Sequence, residues 1–303
     1  MESFLHDPFF FGEEILNSMH LFIGAWFDPV MGFITALGNE TFYVLMLPLL
    51  YWCYDKKLPV KIGAIFLIST TLNDMTKEIF RNPRPDPERL AEGISSLNIK
   101  YLPHQSPGFP SGHTQGAVTF WGPLFWFCRN RTVRALCLLM IILIPYSRIY
   151  LAVHFLGDVL GGYAIGFFLL LALVPAVLVV EKYYDRLHEI ALMVLLLAAP
   201  LAVYNILPGK FLYNYMGVFS GFLIGALMAR ERIAFNPRSG IIPAIIKTAA
   251  GLAGLIIIKE GLKLILPQGA LPGFFRYWLI GFWTTFAAPL IFSRFSLLRG
   301  RVT

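Results

Sequence analysis

Charge is scarce in this sequence. Only 14% of its 303 residues are charged, whereas 57% are hydrophobic; a soluble domain carries about a quarter charged residues. That shortage excludes an ordinary soluble globule, which would need a polar surface around its core. Cysteine is also rare. Cys53, Cys128 and Cys137 lie in or beside apolar stretches without CxxC spacing, so they are read as small lipid-facing or packing residues, with neither a metal nor a disulfide role. The N-terminal stretch MESFLHDPFF is acidic and lacks a basic n-region, so no cleaved signal peptide is expected. Low-complexity tracts, repeats and an acidic metal cage are likewise missing.

Long apolar runs separated by short charged clusters are what the chain does have, a pattern of membrane helices of about 20 residues each. The net charge of +7 is not gathered in one block, so nucleic acid is not an expected partner. Near the N-terminus, Ile15, Leu16, Met19, Phe22, Ile23, Trp26, Phe27 and Val30 recur at three- and four-residue steps. This predicts an amphipathic, interfacial segment over residues 1–39, although a short span fits as well. Nine spans are then expected, near 41–54, 59–80, 113–128, 132–150, 154–180, 189–206, 212–229, 241–265 and 273–292. One set of loops carries Lys56, Lys57, Lys61, Arg129, Arg131, Arg134, Lys182, Arg186, Arg230, Arg232, Arg238, Arg294, Arg299 and Arg301. By the positive-inside rule these loops are cytoplasmic, which puts the N-terminus outside and the C-terminus inside. Arg81, Arg89, Lys100, Lys210 and Arg276 fall on the opposite side. Glycines four apart, Gly157/Gly161 and Gly217/Gly221/Gly225, favour close helix packing within the chain over a dimer interface.

Three polar clusters share the outer side: Lys77 to Arg84-Pro85, Pro110-Ser111-Gly112-His113, and Ser147-Arg148 followed by His154 and Asp158. Ionisable groups this near the hydrocarbon are costly and usually functional. Pro83 and Pro85 should end the helix that carries Lys77 and tip Arg84 into the loop. With Arg148, these cations suit a multiply charged anion. Ser111 can cap a helix whose free N–H groups favour an anion, and Gly112 permits close approach; taken alone, the cluster is equally a capped helix start. His154 and Asp158 share a helix face, so the carboxylate can hold one ring nitrogen and leave the other as a nucleophile; such a pair alone is more often structural. In an unbroken helix Arg148 would point about 240° away from His154, which predicts a chain break between them.

Together the clusters resemble the K-x6-RP, PSGH and SR-x5-H-x3-D signature of the type 2 phosphatidic acid phosphatase (PAP2) family, with every fixed position filled. The resemblance implies an all-α, polytopic membrane bundle: a six-helix catalytic core over residues 40–180, then additional C-terminal helices over 181–303. It further implies that His154 attacks phosphorus, that Asp158 orients it, and that His113 protonates the leaving alkoxide and later activates water. Lys77, Arg84, Ser111, Gly112 and Arg148 would bind the phosphate, without a metal or other cofactor. The stretch Leu37 to Glu40, with Phe42-Tyr43, Pro48 and Tyr51-Trp52, is also similar to sphingosine-phosphate phosphatases, and Ser147 to Phe155 is similar to glucose-6-phosphatases.

The expected function is hydrolysis of a lipid phosphate monoester or pyrophosphate on the non-cytoplasmic side, with membrane lipids as partners. A sugar-phosphate phosphatase, a lipid phosphotransferase, and a non-catalytic transporter or scaffold are the alternatives. A bacterial inner membrane with a periplasmic site is favoured; the oligomeric state is not specified. Secondary candidates are His104, a solvated loop residue or a substrate contact, and Asp74, one turn from Lys77. Lys247, Lys259, Glu260 and Lys263 fall in or beside an apolar span, where Lys259 and Lys263 are expected to snorkel or to pair with Glu260. Residues 86–109, with Asp86, Glu88, Glu92, Ser95 and Ser96, form either a lid or a plain connection.

Overall fold

Prolines and capping side chains decide where the helices of this chain begin and end. The computed structural model describes residues 7–19, 25–102, 106–183, 188–202, 206 and 211–295. His104, Arg186, Lys210, Arg299 and Arg301 lie outside the described residues. All regular structure among the described residues is helical, as expected.

Helices α1 (Pro8–Phe11) and α2 (Glu13–Met19) come first, and a 3-10 turn at Ala25–Phe27 leads into α3 (Asp28–Ala36). The expected amphipathic segment is therefore divided: Ile15 and Leu16 lie on α2, whereas Val30 lies on α3. Pro29 explains the restart, since a residue without N–H is best placed in a first helical turn. Helix α4 (Glu40–Cys53) follows at a bend of 54°. Asp55 then caps α5 (Lys57–Phe80), accepting from the N–H groups of Lys57 at 2.8 Å and Leu58 at 2.6 Å. Helix α5 stops just before Pro83 and Pro85, so Arg84 stands in the loop beyond it, as anticipated.

Residues 86–109 are no plain loop. They contain a 3-10 turn, Pro87–Arg89, and helix α6, Glu92–Tyr101. Leu90 and Ile94 are buried against Phe11, Leu16, Ala152 and Phe155. Ser111 caps α7 (Gly112–Phe127), and Asn130 caps α8 (Arg131–Tyr150). After a break, α9 (Leu156–Tyr183) begins; the break lies between Arg148 and His154, where the geometry of the motif requires it. Then come α10 (Glu189–Ala202), α11 (Leu212–Arg232), and α12 (Ile241–Ile256), which continues through a π-turn into α13 (Leu262–Ile265). Helix α14 (Ala270–Phe282) likewise passes through a π-turn into α15 (Ala288–Arg294).

The chain divides into two compact units, one holding the described residues of 1–43 and 72–173, the other those of 44–71, 174–207 and 211–303. In the first, Gly157 and Gly161 face the rings of Phe11 and Phe109. In the second, Gly217 and Gly221 receive the backbone of α14 at Phe274 and Trp278. Both glycine pairs thus serve packing inside the chain. The second core gathers Trp52, Phe235, Leu255, Ile280 and Phe292, and the Trp52 indole donates to the Thr284 carbonyl at 2.8 Å.

Among the described residues four helical stretches are long and apolar enough to cross a membrane: Arg131–Tyr150, Leu156–Tyr183, Leu212–Arg230 and Ile241–Ile265. The bent pair Asp28–Ala36 and Glu40–Cys53 makes a fifth if counted as one span. Helix α9 exposes Leu160, Phe167, Phe168, Leu171 and Val179, a row that suits lipid rather than water. The expected count of nine exceeds this number because the remaining helices are short or polar. Helix α5 carries Asp74, Lys77 and Glu78, while α7 and α10 have 16 and 14 residues.

Candidate active site

The first unit brings every residue of the three motifs into its interior or onto its edge. The end of α5 supplies Lys77, whose Nζ donates to the carbonyl oxygens of Pro107 at 2.5 Å and Gly108 at 3.2 Å. Two of three ammonium protons are thereby used, leaving one donor. Arg84 is held by backbone in the same way. Its Nε donates to Ser106 O at 2.7 Å and its Nη1 to Val153 O at 2.7 Å.

The break between α8 and α9 is a buried turn in which Ala152 takes a φ of +50°. The left-handed region costs a non-glycine residue about 1 kcal/mol or more. This turn is tied on two sides: Asn98 Nδ2 donates to Ala152 O at 2.5 Å, and Arg84 holds the next carbonyl. Its consequence is that Arg148 and His154, on separate helix ends, both belong to one site.

His154 and Asp158 are 1% and 0% exposed, so their hydrogen bonds are made without competing water. His154 Nδ1 lies 3.1 Å from Asp158 Oδ2, and its Nε2 lies 3.0 Å from Arg84 Nη1. A guanidinium can only donate. Nε2 is therefore the acceptor, and Nδ1 carries the proton and donates to the Asp158 carboxylate. Asp158 also accepts from the Phe155 N–H at 3.1 Å and from Asn82 Nδ2 at 3.4 Å, the first bond being a reach-back to the residue that precedes the helix. Burial, then the charges of Arg84, Arg148 and Lys77 and the neighbouring His113, hold the His154 imidazole well below the usual histidine range. Burial pushes the Arg84 guanidinium down to about 10, with Asp158 opposing; it stays charged at neutral pH.

Ser111 is fully buried at the head of α7; its Oγ accepts from the Thr114 N–H at 3.4 Å, and its own N–H donates to Asp158 O at 2.9 Å. Gly112 opens the helix, where the first amides have no intrahelical acceptor; a Cβ there would lie 3.0 Å from Asn73 Oδ1. His113 Nε2 lies 2.8 Å from Asn39 Oδ1. Arg148 is 2% exposed; its Nη1 donates to Thr35 Oγ1 at 2.6 Å, and its buried Nε has no hydrogen-bond partner among the described residues. A buried donor without a partner costs about 1–3 kcal/mol, and an anion beside it would remove that cost.

Several residues here escaped the sequence reading. Asn73, four before Lys77, donates through Nδ2 to Gln115 Oε1 at 2.8 Å and to Pro110 O at 3.4 Å, which ties α5 to the turn before α7. Asn82 sits inside the first motif, between Lys77 and Arg84. Thr35 and Gly108 carry no sequence signal. Asp74 is buried beside this region. Among the described residues no three His, Cys, Asp or Glu side chains group as a metal site.

Comparison with known proteins places this geometry. Residues 58–182 match the PAP2 superfamily, and residues 213–301 match the transmembrane extension of PAP2 superfamily phosphatases. The chain is 26% identical to mouse sphingosine-1-phosphate phosphatase 1 over 178 residues, 56% of this chain and 40% of the relative. It is 27% identical to human sphingosine-1-phosphate phosphatase 2 over 150 residues, 48% of this chain and 36% of the relative. Phosphatidylglycerophosphatase B of Bacillus subtilis (strain 168) is 28% identical over 169 residues, 52% of this chain and 78% of that protein. The match thus spans less than half the length of the two sphingosine-1-phosphate phosphatases. No solved structure matches. With both the core and its membrane extension recognised, the chain is an integral, multi-pass membrane protein that belongs to the PAP2 superfamily.

Proposed function

We propose that this protein is a phosphoric monoester hydrolase that removes phosphate from a lipid by way of a phosphohistidine on His154. The observation that carries this reading is the held tautomer: Nδ1 bonded to Asp158, and an Nε2 lone pair facing the Arg84 guanidinium. In the first half-reaction Nε2 forms a bond to phosphorus while the phosphorus–alkoxide bond breaks, and His113 gives the leaving oxygen a proton. In the second, His113 takes a proton from water, the hydroxide attacks phosphorus and the phosphorus–nitrogen bond breaks. Asp158 stabilises the cationic ring in between. Lys77, Arg84, Arg148, Ser111 and the Gly112 amide gather the phosphate oxygens, since phosphoryl transfer is mainly positioning and charge stabilisation. The orphaned Nε of Arg148 and the remaining donor of Lys77 support that assignment.

The domain arrangement follows the same reading. Residues 40–180 form the six-helix catalytic core, 1–39 precede it, and 181–303 add further helices, for nine spans in all. Helices α5 and α7 owe their polar or short character to Lys77 and to the Ser111-Gly112-His113 start, which supports counting them as spans. Loop charge asymmetry supports a site on the non-cytoplasmic side, and the Bacillus relative is in keeping with a bacterial inner membrane and a periplasmic site. A lipid phosphate as substrate is supported by the names of these relatives, a sphingosine-1-phosphate phosphatase and a phosphatidylglycerophosphatase.

The test is phosphate release in detergent from sphingosine 1-phosphate, phosphatidylglycerol phosphate and glucose 6-phosphate, with His154→Ala as control. Lipid hydrolysis that vanishes in the variant is expected. Preference for glucose 6-phosphate would overturn the lipid substrate, and normal turnover by His154→Ala would overturn the nucleophile.

A further inference from the structure

The end of α3 and the turn into α4 precede residues 58–182, and their side chains have no role in the three motifs. Two of them nevertheless end on motif residues. Thr35 accepts from Arg148 Nη1 at 2.6 Å, and four residues later Asn39 Oδ1 lies 2.8 Å from His113 Nε2. Gly38 lets the second contact form: a Cβ there would lie 2.8 Å from His113 Cδ2 and 2.5 Å from Ile144 Cγ2, so a side chain would push the imidazole off the turn.

We propose that Asn39 is a positioning residue for His113, fixing its ring plane and its tautomer; the inference rests on the acid–base role given to His113 above. An amide oxygen accepts and cannot donate, so His113 Nε2 keeps a proton in both charge states. Nδ1 is then the atom that releases a proton to the alkoxide and recovers one from water. The choice of partner differs from that at His154 for a chemical reason. A carboxylate favours the cationic ring, which suits a histidine that becomes a charged phosphohistidine. An acid–base histidine must alternate between charge states within each turnover, and a neutral amide orients it without favouring either. Lys77, Arg84 and Arg148 are the charges that face His113. Asn39 is exposed, so the fold does not rest on its side chain.

Leaving groups separate this role from a structural one. A long-chain alkyl phosphate needs a proton on its departing alkoxide, whereas p-nitrophenyl phosphate releases a stable phenolate without one. For Asn39→Leu, kcat/KM is expected to fall about 100-fold on the alkyl ester, the lower range for a general acid, and only a few-fold on the aryl ester. Asn39→Asp keeps an acceptor but favours the cationic ring, so it should recover only part of the alkyl activity and move the His113 limb of the pH profile upward. Equal losses on both esters, or no loss on either, would overturn the role of Asn39. His113→Ala serves as the reference. If it shows the leaving-group contrast and Asn39→Leu does not, only the present inference fails; if His113→Ala lacks the contrast, the acid–base assignment fails and takes this inference with it.

Discussion

Arg84 Nη1 covers His154 Nε2 at 3.0 Å, the ring atom proposed to attack phosphorus. In this arrangement the nucleophile's lone pair is engaged by the cation proposed to bind substrate. A phosphate entering the site offers oxygens that compete for the guanidinium, so substrate binding and release of the lone pair become one event. Arg84→Lys keeps a charge but loses the fork that serves Ser106, Val153 and His154 together. A hydrogen bond to a charged group is worth about 1.5–3 kcal/mol. The variant's kcat/KM is expected to fall on the order of 100-fold in a phosphate-release assay; a loss below threefold would show that any cation suffices.

The pH profile follows from the same pair. Burial first, then Arg84, Arg148, Lys77 and His113, hold His154 below its ordinary value of 6.5, so the ring stays neutral in mildly acid solution. An unfolded chain would bind that proton below about 6.5. The stability contributed by neutral His154 is therefore complete above that pH and is lost as pH falls towards the folded value. In kcat/KM the acid limb due to His154 lies below 6.5. Arg84→Gln removes the largest charge acting on the ring and should move that limb upward, towards 6.5; a limb that stays in place would separate the two residues.

The charges of the candidate site were legible in the primary structure because charge in an apolar chain is expensive. Lys77, Arg84, Arg148, His154 and Asp158 stand out against runs of Leu, Ile and Phe, and the impossibility of joining Arg148 to His154 on one helix located the break after Tyr150. Neutral supports leave no such mark. Thr35, Asn39 and Asn73 look like ordinary polar residues until the fold sets them beside Arg148, His113 and Gln115. Helix α6 was hidden for a similar reason, since its buried residues Ile94 and Leu97 are too few to make a clear periodic signal. The span count is obscured because the polar groups that make α5 useful also lower its apolar character.

Asp158 is surrounded by donors. Its Oδ2 accepts from His154 and Phe155 and its Oδ1 from Asn82. In Asp158→Asn an amide N–H2 must face one of these donors, and the ring can turn to the wrong tautomer. A loss in kcat on the order of 10³-fold is expected from such a change, with KM nearly constant because Asp158 binds no phosphate oxygen in the proposed mechanism. A rise in KM with kcat preserved would make Asp158 a substrate ligand instead.

Gly108 is a packing constraint inside the site. A Cβ there would lie 2.9 Å from both Asp158 Oδ2 and the Pro83 carbonyl oxygen. Neither atom can retreat freely, since Asp158 holds His154 and Pro83 precedes Arg84. Gly108→Ala is expected to cost about 1–3 kcal/mol through overpacking and to lower kcat as well, measured by thermal unfolding in detergent alongside turnover. An unchanged midpoint and rate would mean that the turn relaxes more easily than its contacts suggest.

Lys247 gives the contrasting case of a buried charge with structural work. It is fully buried on α12, so it does not snorkel; Nζ donates to Pro237 O at 2.8 Å and Asn236 O at 3.4 Å. The ammonium thus closes the chain between α11 and α12, with the Phe235 ring 5.8 Å away. Lys259 behaves differently, remaining exposed 3.9 Å from Glu260. Lys247→Met preserves the bulk of the side chain but leaves two carbonyls without their donor, at a cost of about 1–3 kcal/mol. The expected outcome is a lower unfolding midpoint with kcat and KM unchanged at a temperature where the variant is folded. Should KM for a lipid phosphate shift while the midpoint holds, Lys247 would belong to substrate recognition, and the division drawn between a catalytic core and supporting helices would have to be redrawn.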